Sequence, residues 1–197
     1  MRDLAMKKLG IALVCVLFFP GLDAAATVYY VDATRPNDAG TGLTWGTAKK
    51  TIQAGINAGS GSDQVWVKLG TYPETVTLRS GVSLYGGFAG TETLLSQRNW
   101  TTNVTTINAT TVSPRFHVVT MDGVTNARLD GFWVTGGNAN GPDANNNYGG
   151  GIYCPSADDT NVIVNCIVTG NTAGNYGGGV YMDGGFSVDH ELHRERK

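Results

Sequence analysis

The side chains of this 197-residue chain that could do chemistry are few and scattered. Lys68 and Arg79 stand early; Arg115, His117 and Arg128 stand mid-chain. The carboxylates among them are Asp122, Asp130, Asp158, Asp159 and Asp183. If successive turns of chain stack, Asp122 and Asp130 fall near one face with Arg128, and clustered carboxylate oxygens suit a hard cation such as Ca²⁺. The competing reading is that these residues cap turns and face solvent. Glycosidic hydrolysis needs two carboxyl groups on either side of one bond. The adjacent Asp158-Asp159 sits in P-S-A-D-D-T-N, and neighbouring side chains in an extended chain point apart. That pair reads as a solvated turn. Asn37-Asp38 in R-P-N-D-A-G-T-G falls short of an EF-hand loop. Tyr148, Tyr153, Tyr176 and Tyr181 lie beside Gly-rich turns. Such a row can stack on sugar rings, with Tyr153 and Tyr181 as the carbohydrate contacts, or serve as an outside ladder that stiffens a sheet.

What must position these groups is a repeat. Residues 147–153 read N-Y-G-G-G-I-Y and residues 175–181 read N-Y-G-G-G-V-Y, an offset of 28. W-V-T-G at 133–136 returns as I-V-T-G at 167–170, an offset of 34, so six extra residues lie in the polar stretch of the first copy. Periods of roughly 20–50 residues point to stacked supersecondary units with variable loops. Alternation assigns the faces: Ile152 with Val180 and Cys154 with Met182 inward, Tyr153 with Tyr181 outward. Asn147 over Asn175 predicts an amide ladder. The glycine triplets permit positive φ and close approach.

Gly, Asn and Thr contribute 28, 15 and 23 residues, a third of the chain. That mix disfavours helices and favours short strands joined by tight turns. A net charge of −2 argues against nucleic acid as a partner. Residues 1–26 read as an export signal. Lys7 and Lys8 precede an apolar run from Leu9 to Phe19, Pro20 breaks it, and Ala24-Ala25-Ala26 offers cleavage before Thr27. The run is too short for the ~20 residues of a membrane helix, so no span is expected after cleavage. Cys15 follows Val14 rather than a small residue, so lipidation is not expected. Cys154 and Cys166 match Met182 and Phe132 in the repeat, which suggests buried thiols, although export permits a disulfide. Residues 27–62 hold a lead strand, a loop and one short helix over Thr47–Ala58, its stripe Ala48, Ile52 and Ile56. Thr47 is the expected start cap and Gly59 the end. Residues 91–103 are polar and read as an excursion; residues 63–186 otherwise supply strands and turns. A charged tail, 187–197, reads either as a truncated end or as a makeshift cap.

The phrase D-Q-V-W-V-K-L-G-T-Y-P-E-T-V-T-L-R-S-G-V-S-L-Y-G-G-F at 63–88 follows Y-Y-V-D-A and W-G-T-A-K-K-T-I-Q-A-G-I. This order resembles the pectate-lyase-like right-handed parallel β-helix superfamily. T-G-N-T-A-G-N-Y-G-G-G-V-Y resembles the Gly-Gly repeats of polymorphic outer-membrane and adhesin-type surface proteins. The resemblance implies an all-β solenoid, a right-handed parallel β-helix with a short N-terminal capping helix. For lyases of this type it implies an Arg or Lys base, here Arg128 or Arg115, acting on uronate polymers, with Ca²⁺ on Asp122 and Asp130. Asn138-Ala139-Asn140-Gly141 stands where a lyase phrase would carry a carboxylate. The expectation is therefore a secreted or cell-surface protein presenting an extended surface for adhesion or contact with a polysaccharide or cell-surface glycan. The alternative is a polysaccharide lyase or hydrolase.

Overall fold

A computed structural model describes residues 25–184 together with 187–188 and 193–194. The segment 1–26, expected to be an export signal, lies almost wholly outside the described residues, as does most of the charged tail. The described chain is mostly strand, and its sheets are parallel. It opens with β1 (Val28–Val31) and one α-helix, α1 (Ile52–Ala58). Thereafter strands follow in passes: β2 (Gln64–Lys68), β3 (Gly70–Tyr72) and β4 (Val76–Thr77); then β5 (Ser83–Phe88), β6 (Thr105–Asn108) and β7 (Val119–Thr120). The next pass is β8 (Arg128–Asp130), β9 (Trp133–Thr135), β10 (Asn138–Ala139) and β11 (Ile152–Ala157). It is followed by β12 (Val162–Val164), β13 (Ile167–Val168), β14 (Thr172–Ala173) and β15 (Val180–Gly184), and last by β16 (Ser187–Val188) and β17 (His193–Arg194).

Each pass visits the same sheets in the same order. Among the described residues a six-stranded sheet runs β1-β2-β5-β8-β12-β16, a five-stranded sheet β3-β6-β9-β13-β17, and a four-stranded sheet β4-β7-β11-β15, with β10 and β14 pairing separately. Register puts like on like. The inner column of the first sheet is Val65, Leu84, Leu129 and Ile163. The second has Tyr72, Ile107, Val134 and Val168, and the third Val76, Val119, Ile152 and Val180. Nearly all are fully buried in one core, and each such aliphatic side chain contributes about 1.5–3 kcal/mol by leaving water. Cys154 pairs with Met182 as the repeat predicts, and Cys166 follows the same register relative to Phe132. Both cysteines are free, buried thiols.

The glycine triplets close the repeat. Gly149 and Gly177 take φ of +60° and +65°. A Cβ on Gly150 would stand 2.1 Å from the carbonyl oxygen of Thr172, a spacing only glycine allows. The expected side-chain ladder of Asn147 and Asn175 is not what joins the passes there. The Asn175 N–H donates to the Asn147 carbonyl at 2.9 Å, and the Asn147 amide turns back to the Asp143 carbonyl.

The helix begins later than its stripe predicts. Thr51, not Thr47, is the cap, its hydroxyl accepting from Ala54 N–H at 3.2 Å. Thr47 ends a separate 3₁₀ turn over Trp45–Thr47. Ala48 is buried outside the helix, where Lys49 bridges to Val31. The Glu74 carboxylate accepts from Ile52 and Gln53 N–H at 2.8 and 3.0 Å, and Arg79 donates to the Asn57 and Gly59 carbonyls at the other end. Acid at the N-terminus and base at the C-terminus both favour the helix dipole. No helix among the described residues is long and apolar enough to cross a membrane.

Candidate functional site

The outward positions of the four-stranded sheet carry Tyr153 and Tyr181, directly paired. Their rings stack at 5.8 Å and 19°. His117, from the strand entry before β7, stacks on Tyr153 at 4.2 Å and 11°. Tyr181 meets Tyr148 at 4.8 Å, and Tyr148 meets Tyr176 at 5.9 Å with rings nearly parallel. Five rings thus form one continuous column along the sheet. Its inner end is closed. Tyr153 is only 6% exposed, covered by His117 and Tyr181, so the ring expected to meet a sugar has no free face. Burial raises the Tyr153 phenol, with Asp122 adding to the effect. Burial also lowers His117, outweighing the bond between its Nδ1 and the Gly149 carbonyl at 3.1 Å. The column opens outward at Tyr176, which is 71% exposed.

Arg128 and Asp130 meet on the outer side of the six-stranded sheet. There Asp130 is already satisfied. Its Oδ1 takes Arg98 Nη2 at 2.7 Å and the Asn165 amide at 2.8 Å, and its Oδ2 takes Arg128 Nη1 at 3.2 Å. Arg98 also donates to the Gly86 and Asp130 carbonyls and lies 5.2 Å over the Tyr85 ring. A carboxylate between two guanidinium groups and an amide is not a free calcium ligand. The expected partner Asp122 lies in the turn after β7, which belongs to another sheet. The pair does not fit Ca²⁺, and no group of three or more His, Cys, Asp or Glu that could hold a metal occurs among the described residues. Arg128, the first expected base, is held in the same ion pair.

Arg115 is elsewhere, in the loop between β6 and β7, donating to the Thr110 carbonyl. It lines a cleft of about 390 Å³ with Pro114, Phe116, Asn138 and Asn140. Asp158 caps its own turn, accepting from Thr160 N–H at 2.9 Å. Lys68 pairs with Asp32 at 2.9 Å.

Two participants carry no signal of their role in the sequence. Arg98 comes from the polar excursion and reaches Asp130 across 32 residues. His117 belongs to no copy of the tyrosine repeat yet completes its column. Searches with this chain against protein-family models, curated proteins and solved structures found no match.

Proposed function

We propose that this chain is a right-handed parallel β-helix, exported through residues 1–26, whose lateral surface makes adhesive contact with carbohydrate. The observation that carries this reading is the aromatic column of the four-stranded sheet, stacked in register and opening at Tyr176. The cyclic order of sheets and the three inner apolar columns support the β-helix. A stack of short parallel strands gives a long, rigid side wall, as extended repeat surfaces do. The sugar contact expected at Tyr153 and Tyr181 shifts to Tyr176, since Tyr153 lies between His117 and Tyr181, and Tyr181 between Tyr153 and Tyr148. Export is tested by N-terminal sequencing of secreted protein, which should begin at Thr27. Contact is tested on a glycan array: binding without turnover, weakened by Tyr176→Ala, supports the reading, and an array with no signal removes it.

A second reading, a polysaccharide lyase or hydrolase, is favoured by the cleft that holds Arg115. Incubation with polygalacturonate and Ca²⁺, followed by the absorbance of unsaturated uronates, separates the two. Product formation lost in Arg115→Ala would make the chain an enzyme.

A further inference from the structure

Three of the six large apolar side chains exposed among the described residues gather on one surface: Leu69 at 44%, Val104 at 36% and Trp133 at 40%. The surface is the outer face of the five-stranded sheet and its entry corner. Leu69 and Val104 precede β3 and β6 at equivalent positions, because Gly70 pairs with Thr105. Trp133 lies on the outward side of β9, in register with Thr106 on one neighbour and Ile167 on the other, and Thr71 extends the column. The intervening residues Tyr72, Ile107, Val134 and Val168 are buried, which fixes these side chains as outward. Asn108 and Thr135 pair in the next outward column. None of these side chains carries a charge; the next register position beyond Ile167 is His193 of β17.

We infer that this face binds a neutral polysaccharide chain, with Trp133 as the stacking platform and Thr71, Thr106 and Asn108 as its polar surround. A pyranose ring presents a C–H face bounded by hydroxyl groups. An exposed indole between threonine hydroxyls and an amide matches both parts. A charged sugar would lose hydration here without gaining an ion pair, so the uncharged face selects a neutral one. The dimensions disfavour a second copy as occupant. Four strands at ~4.8 Å and two columns two residues apart span roughly 200 Å², far below the ~800 Å² per partner of a stable interface. A peptide strand would dock on a sheet edge through backbone groups, and this face offers side chains only. The inference rests on the carbohydrate-contact reading and places a contact on a different sheet from the aromatic column.

The test is co-sedimentation of the purified full chain with microcrystalline cellulose, colloidal chitin and starch granules, with immobilised polygalacturonate as the anionic comparison. Retention on a neutral polymer is expected, with Trp133→Ala and Thr106→Glu each weakening it about tenfold or more. Thr106→Glu leaves the indole in place and guards against a folding artefact, as does circular dichroism of every variant. Cellohexaose or chitohexaose should shift tryptophan emission in the parent and not in Trp133→Ala. Unchanged retention by folded Trp133→Ala overturns the inference. If Tyr176→Ala alone abolishes retention, or only polygalacturonate binds, the inference falls while the carbohydrate reading stands. If no polymer binds, both fall. A dimer that Trp133→Ala dissociates, seen by sedimentation velocity, overturns it in favour of a second copy.

Discussion

The six-stranded and five-stranded sheets are built from neighbouring strands of the same passes, yet their outer faces have opposite fates. On the first, Tyr30, Trp45, Trp66 and Phe88 form a second apolar cluster outside the main core. Trp66 stacks on Phe88 at 4.6 Å and is 3% exposed. Two loops cover it, the one before α1 and the excursion after β5, joined where Trp45 Nε1 donates to the Glu92 carbonyl at 3.0 Å. On the second sheet Trp133 remains 40% exposed. An outward tryptophan is therefore a packing residue on one sheet and an exposed one on the next, and what decides is the loop length beside it. The polar excursion is what turns an outer sheet face into a small core.

The largest expected effect separates the two tryptophans. Trp66→Ala should cost about 3–5 kcal/mol in urea unfolding, as for other buried aromatic truncations. Trp133→Ala should cost about 1 kcal/mol or less. Equal losses would erase the distinction between the faces. Next, Arg98→Ala should cost about 3 kcal/mol, because it leaves a buried carboxylate short of its best partner. Arg128→Ala, at the more exposed end of the same pair, should cost about 1 kcal/mol. The reverse order would mean that the excursion does not anchor the covered face.

Acid should loosen the cover and spare the open face. Burial works to raise Asp32 and Glu92, but hydrogen bonds outweigh it and both sit below their usual range. Lys68 and Thr34 supply those bonds to Asp32, and backbone N–H groups of the 89–92 turn supply them to Glu92. A depressed carboxylate stabilises fully above its unfolded value of about 4, and that stability is lost as pH falls through the folded value. Emission from Trp45 and Trp66 should therefore change on acidification, and Glu92→Gln should flatten the response. Glu74 runs the other way. Burial raises it against the helix N–H bonds, so its contribution is present below the unfolded value and lost as pH rises through the folded one. A Glu74→Gln variant should gain melting temperature relative to the parent as pH rises through that window. The smallest effect is chemical. Burial pushes Cys154 up to about 11 and Cys166 to about 12, so iodoacetamide at pH 8 should leave both unlabelled in the native protein. Labelling before unfolding would mean that the passes open locally.

The inner columns were legible because period-2 alternation and a repeated phrase are local signals. Ile152 over Val180, Tyr153 over Tyr181 and Cys154 over Met182 all stand in the register the repeat dictates. The outside was less legible. Tyr153 is outward, as alternation requires, but its burial depends on His117, which no repeat unit announces. Ala48 fits the helical stripe by spacing and is buried for another reason, the bridge from Lys49 to Val31. The Asp122 and Asp130 pairing failed because proximity in sequence spans a change of sheet. Arg98 was invisible because a loop residue has no periodicity to report its destination.

The carboxylate of Glu74 has a consequence for the order in which the molecule can assemble. It lies in the turn between β3 and β4, yet it supplies acceptors to the first N–H groups of α1, while Arg79 closes the far end. The helix is thus unfinished until the chain has travelled on through the first full pass and come back past it. A chain emerging N-terminus first cannot complete the bonds at both ends of α1 until residue 79 is out.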